Sequence, residues 1–99
     1  MAAFSLSHKA KADLKSILSY TQKKWGREQR LIYAKQFDLS FHRLAETPEA
    51  GHNCDHIKTG YRKFPCASHI IFYRYIPQAG IQIVRVLHKR MDVHLQLDA

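Results

Sequence analysis

The sequence predicts an α+β domain of order β-α-α-β-β-β, an antiparallel sheet with a two-helix hairpin on one face. Three observations predict it. Two long stretches repeat apolar residues every three or four positions, the period of a helix with one buried stripe. Three shorter runs rich in β-branched and aromatic residues follow, joined by turns short enough for hairpins. The 99 residues suffice for one core, so positions 1–99 are read as a single domain.

Each element has its own signal. Phe4-Ser5-Leu6-Ser7 alternates and is expected to add as a strand at a sheet edge. Ser7 is placed to cap a helix. In that helix Ala10, Leu14, Ile17, Leu18, Thr21 and Trp25 make one stripe, with Lys9, Lys11, Lys15, Lys23 and Lys24 mostly opposite. Gly26 ends it. The second helix, 27–46, has the stripe Tyr33, Ala34, Phe37, Phe41, Leu44 and Ala45, and stops at Thr47-Pro48 because a residue before proline avoids helical geometry. Trp25 and Phe41 are both expected in the core. A polar loop at 48–55 leads to strands at 57–64, 68–75 and 81–92, with turns at 64–67 and 77–80. With the helices on one face, Ile71, Tyr73, Val84 and Val86 are expected inward. Ile70, Phe72, Arg74, Ile83, Arg85 and Leu87 then share an uncovered face, an apolar surface studded with arginine that invites a partner.

Charge narrows the partner. Lys and Arg number 16 against 8 Asp and Glu, a net +8. Between positions 57 and 91 there are seven Lys/Arg and no acid. An anionic partner is expected, nucleic acid or an acidic protein. Cys54 and Cys66 are too few for a disulfide framework, the N-terminus has no signal-peptide pattern, and no window holds eighteen apolar residues, so a cytoplasmic chain without a membrane span is expected. His52, Cys54, His56 and Cys66 are zinc-ligand types, but their spacing fits no common zinc module. Gly60 and Gly80 are isolated and make no phosphate loop. Neither a metal nor a cofactor is expected.

Several segments carry a resemblance. Trp25-Gly26, Phe41, Leu44-Ala45, Pro48, Gly51, Gly60-Tyr61-Arg62, the run from Ser68 to Arg74, and Val84-Arg85-Val86-Leu87-His88 with Arg90-Met91-Asp92 together resemble the ParE branch of the RelE/ParE toxins, over nearly the whole chain. The resemblance implies the fold above and the toxin role in a type II toxin–antitoxin pair, with the plasmid- or chromosome-stabilising part such pairs play. It implies a ParD-like antitoxin that binds operator DNA through its own N-terminal part and covers the toxin with an acidic C-terminal tail, making a hetero-oligomer. It implies DNA gyrase as target. On this reading Ile70, Phe72, Arg74, Ile83, Leu87, Lys58 and Arg62 receive the antitoxin, and Arg85, His88, Lys89, Arg90 and Met91 meet gyrase.

The RelE branch instead cuts mRNA on the ribosome, which requires a base, cations around the phosphate and an acid. His88, Lys89, Arg90 and Arg85 are of those types, and Tyr61 and Phe72 could stack a base. Ile70 and Phe72, however, stand where that branch carries charge, and no Tyr follows Tyr75. No catalytic residue is therefore assigned, and a non-hydrolytic gyrase inhibitor is expected. An endonuclease of the same fold, or a relic that only binds its antitoxin, are the alternatives.

Overall fold

The computed structural model describes residues 3–91 and Leu97. The element order is β1 (Phe4–Leu6), α1 (His8–Trp25), α2 (Arg27–Glu46), a 3₁₀ turn (Pro48–Ala50), β2 (His52–Asn53), β3 (Tyr61–Cys66), β4 (His69–Ile76) and β5 (Gly80–His88). The sheet runs β1-β5-β4-β3-β2. The meander is antiparallel as expected, but β1 joins β5 in parallel, so the sheet is mixed.

Local chemistry explains the helix limits. Ser7 caps α1 by accepting the Ala10 N–H at 3.0 Å. Gly26 sits at φ 96°, a conformation that favours glycine, and turns the chain straight from α1 into α2. The stripes of both helices meet the sheet in a core built on Ala10, Phe37, Phe41, Leu44, Ile71, Tyr73, Ile81, Ile83 and Val86. Trp25 departs from the expectation: it is 66% exposed at the last position of α1, beside the Gly26 corner.

Strand boundaries shift for identifiable reasons. The strand expected from position 57 begins only at Tyr61. Before it, Asp55 accepts the Gly60 N–H at 2.7 Å and Asn53 accepts the Asp55 N–H at 2.8 Å, which holds 54–60 as a turn. Asn53 also ends the short edge strand β2, which the polar composition of the loop conceals. Pro65, expected in a turn, lies inside β3; β2 pairs only with Arg62 and Lys63, so at Pro65 the strand is an edge and a missing N–H is tolerated there. The third strand ends at His88 rather than at 92, where Met91 N–H closes a turn onto the His88 carbonyl.

The largest correction is in β5. Phe72 pairs with Arg85 and Tyr73 with Ile83, so Val84 is an extra residue opposite no partner, a β-bulge. The bulge exchanges faces. Ile83, expected on the uncovered face, is fully buried under the helices, and Val84, expected inward, is only half-buried. Beyond the bulge Val86 returns to the helix side, as expected.

The opposite face is not bare either. Phe72, Leu87 and Cys54 form a second cluster closed by Leu97, with Ile57, Tyr61 and Ile70 against it. Lys58 Nζ donates to the Leu97 carbonyl at 3.3 Å and anchors that closure. The open apolar face expected from the alternation is thus covered by the chain itself. Burial also raises the pKa of the Cys54 thiol.

Tyr73 joins the core to the loop after α2. Its hydroxyl donates to the Pro48 carbonyl at 2.6 Å and accepts the Gly51 N–H at 2.8 Å. A Cβ at Gly51 would strike that hydroxyl and ring. Tyr73→Phe leaves a buried N–H and a carbonyl unmatched, so urea denaturation should show a loss of about 1–3 kcal/mol. Gly51→Ala should lower the same midpoint through the steric clash.

Candidate partner and target surfaces

The residues expected to receive an antitoxin are dispersed. Arg74 is exposed and its Nε donates to Gln82 Oε1 at 2.9 Å. Lys58 and Arg62 are half-buried; Lys58 lies 5.5 Å from the Tyr61 ring centroid, and Arg62 Nη1 donates to the Gly51 carbonyl at 2.8 Å. Ile70 is half-buried beside the second cluster. Phe72 and Leu87 share this side of the sheet but lie beneath Leu97. Ile83 is on the other side altogether. The face therefore presents Arg74 and parts of Lys58 and Ile70, not a continuous apolar strip, and Arg62, opposite Tyr73, lies on the helix side.

Arg85 was expected among the target contacts. Its guanidinium is instead held by Asp13 of α1 in a two-point ion pair, Nε to Oδ2 at 2.8 Å and Nη2 to Oδ1 at 2.9 Å. Both side chains are largely buried, 13% and 14% exposed, and the hydrogen bond to Asp13 raises the Arg85 pKa further. The same carboxylate accepts the Val86 N–H at 2.9 Å. Sequence reasoning missed Asp13, although it left a signal: it is the one acid among the lysines of α1. The other four expected contacts stay together at the end of β5. Lys89 and Arg90 are exposed, Met91 is 48% exposed and His88 is half-buried.

Beside that end lies an open pocket of about 380 Å³ between α1, α2 and the β4–β5 strands. His69 and His88 are direct cross-strand partners, with ring centroids 5.3 Å apart and nearly perpendicular. Burial, reinforced by His88, holds the His69 pKa below the ordinary histidine value, with Asp13 opposing. The four residues of zinc-ligand type named from the sequence do not converge: Cys54 belongs to the cluster under Leu97 and Cys66 to the core beneath the helices. Among the described residues no three His, Cys, Asp or Glu side chains come together, and no helix is long and apolar enough to cross a membrane.

With this geometry in place, comparison with known proteins is decisive. Residues 4–93 match the family model described as the ParE toxin of type II toxin-antitoxin system, parDE. The chain belongs to the ParE toxin family. It is 40% identical over 94 residues to Toxin ParE1 of Mycobacterium tuberculosis, covering 95% of this chain and 96% of that protein. It is 36% identical over 97 residues to Toxin ParE1 of Caulobacter vibrioides, covering 98% and 99%. Among solved structures, one described as the chromosomal ParDE TA system from P. aeruginosa aligns with a TM-score of 0.74 at 21% identity, covering 89% of this chain and 96% of that one, which shows a shared fold. The β-α-α-β-β-β order read from the sequence is thus a ParE architecture, with β2 as an additional short edge strand.

Two outcomes follow for this ParE chain. Asp13→Ala removes one partner of a largely buried ion pair and strands the Val86 N–H, so urea denaturation should show a loss of about 3 kcal/mol. His69 titrates in the unfolded chain near pH 6.5 and resists protonation in the folded one. Its contribution is therefore complete above about pH 6.5 and is lost as the pH falls below it. The urea midpoint should drop between about pH 7 and pH 5.5, and His69→Asn should make that drop shallower.

Proposed function

We propose that this ParE family member inhibits DNA gyrase without catalysing a reaction and is held inactive in the cytoplasm by a ParD-like antitoxin. The observation that carries this reading is the end of β5. His88, Lys89, Arg90 and Met91 form an outward cationic and thioether-bearing tip, continuous with a stretch free of acids from 57 to 91. A tip of that kind suits capture of an acidic protein surface or of DNA held by one, and Met adapts to the contour it meets. Arg85, one of the cations a hydrolytic mechanism would draw on, is committed to Asp13, which supports inhibition by binding over RNA cleavage.

The antitoxin reading rests on the family and on the ParDE description of the structural neighbour. An acidic tail has Arg74 and Lys58 to meet on the far face of the sheet, with Ile70 of β4 near them, while Arg62 stands opposite Tyr73 on the helix side. Phe72 and Leu87 become available to it only if Leu97 moves aside. Such a complex is a hetero-oligomer, and its contact with operator DNA runs through the antitoxin.

The test is supercoiling by purified gyrase. The full chain should inhibit it, and an equimolar ParD-like partner should restore it. Lys89→Glu with Arg90→Glu should weaken inhibition on the order of tenfold or more, with far-ultraviolet circular dichroism unchanged, because both side chains are exposed and reverse the charge of the tip. Cleaved mRNA in a translation assay read by primer extension, with supercoiling untouched, would replace this reading by an endonuclease.

A further inference from the structure

The pocket beside His88 is flanked by two shallower depressions. On one side it continues through Ser16 and Tyr20 into a depression flanked by Lys15 and Lys23. On the other it continues through Trp25 and Tyr33 to Gln29. The three depressions adjoin one another along the second half of α1, with Ser16 and Tyr20, and then Trp25 and Tyr33, as shared walls, and are taken together as one uneven groove. From Lys15 to Trp25 that groove is about 15 Å long at 1.5 Å per helical residue.

Its chemistry is unusual for a surface. Tyr20 and Trp25 are 59% and 66% exposed, though both are large rings that a soluble chain ordinarily covers. Lys24 Nζ donates to the Tyr20 hydroxyl at 3.2 Å and lies 5.6 Å from the Trp25 centroid, so positive charge sits beside both rings. No acidic residue lines any part of the groove, whereas Lys15 and Lys23 flank it and Lys89 follows His88 at its edge. At the pocket wall, His69 Nδ1 is the one buried side-chain nitrogen among the described residues without a hydrogen-bond partner. A polar atom left unmatched beside an open pocket is a group whose partner can arrive with a ligand.

We propose that this groove binds single-stranded nucleic acid, with bases stacked on Tyr20 and Trp25 and phosphates met by the lysines of α1. Interleaved rings and cations are what sequence-tolerant single-strand binding requires: every base has a stackable face, and the backbone supplies the negative charge. An acidic helical peptide is the competing occupant. It anchors through aliphatic side chains in aliphatic walls, and Ile17 is the lone aliphatic residue of the lining, the rest being rings, hydroxyls, polar groups and lysines. The binding needs no gyrase, so a failed supercoiling assay leaves it standing.

The chain has a single tryptophan, and it stands in the groove, so its emission reports occupancy directly. Titrating the full chain with an oligothymidylate of about eight nucleotides should quench that emission, and log affinity should fall linearly with log salt at about −0.7 per phosphate contacted. Tyr20→Ala, at an exposed position, should weaken anisotropy-detected binding on the order of tenfold, while Leu39→Ala on the exposed outer face of α2 should not change it. Lys23→Gln with Lys24→Gln should lower the salt slope by about one to two. The proposal is overturned if Trp25 emission is unmoved by the oligonucleotide, or if Tyr20→Ala binds as the parent chain does. It is equally overturned if a duplex of the same length, or a polyglutamate peptide, binds as tightly as the single strand.

Discussion

The exposed edge of β5 is the constraint on which the rest of the molecule depends. β1 is three residues long and pairs only with Ile81, Gln82 and Ile83. Past that point β5 would present unmatched peptide groups, a costly condition inside a domain and an aggregation hazard outside it. The start of α1 removes the problem. Ser7 Oγ donates to the Val84 carbonyl at 2.7 Å, and Asp13 takes the Val86 N–H and the Arg85 guanidinium. The bulge residue Val84 is itself the first of these attachments, so the start of the helix is fastened to the strand where the strand is irregular. One serine, one aspartate and one arginine thereby set the position of the hairpin on the sheet.

The position of the functional surfaces follows. Because the bulge turns Ile83 inward, β5 contributes Ile81, Ile83 and Val86 to one core. Leu87 and Phe72 go to the other side, where Leu97 covers them. A sheet closed on both faces leaves little there for a partner except the rim of basic side chains. What remains open is the end of the sheet where β4 begins and β5 finishes, together with the α1 groove beside it. In this ParE fold charge and exposed rings concentrate at that end, with Lys89, Arg90 and Met91 at the tip and Tyr20 and Trp25 in the groove.

Much of the architecture was legible because it rests on local signals. Ser7 as a cap, Gly26 as a corner and Thr47-Pro48 as a stop act within a few residues, and all three occur where periodicity places them. The apolar period likewise identified Phe37, Phe41, Leu44 and Ala45 as core. Trp25 belongs to the same period as Ile17 and Thr21, yet it lies one turn past Thr21, the last buried residue of α1, and period carries no information about where the cover over a helix ends. The turn at 54–60 was hidden because Ile57, Lys58 and Thr59 have strand composition while Asp55 and Asn53 decide the backbone.

By itself the sequence determined the order of elements, the family and the cationic, acid-free character of the stretch 57–91, since these depend on residue type and on spacing along the chain. The tertiary structure alone decided which residues face which way. A single extra residue in β5 reverses alternation without altering composition, so Ile83 and Val84 exchange roles unseen. It alone decided that Arg85 meets Asp13, seventy-two positions away, and that Leu97 closes the far face. Those are contacts between distant segments, and a linear pattern holds no measure of distance across a fold.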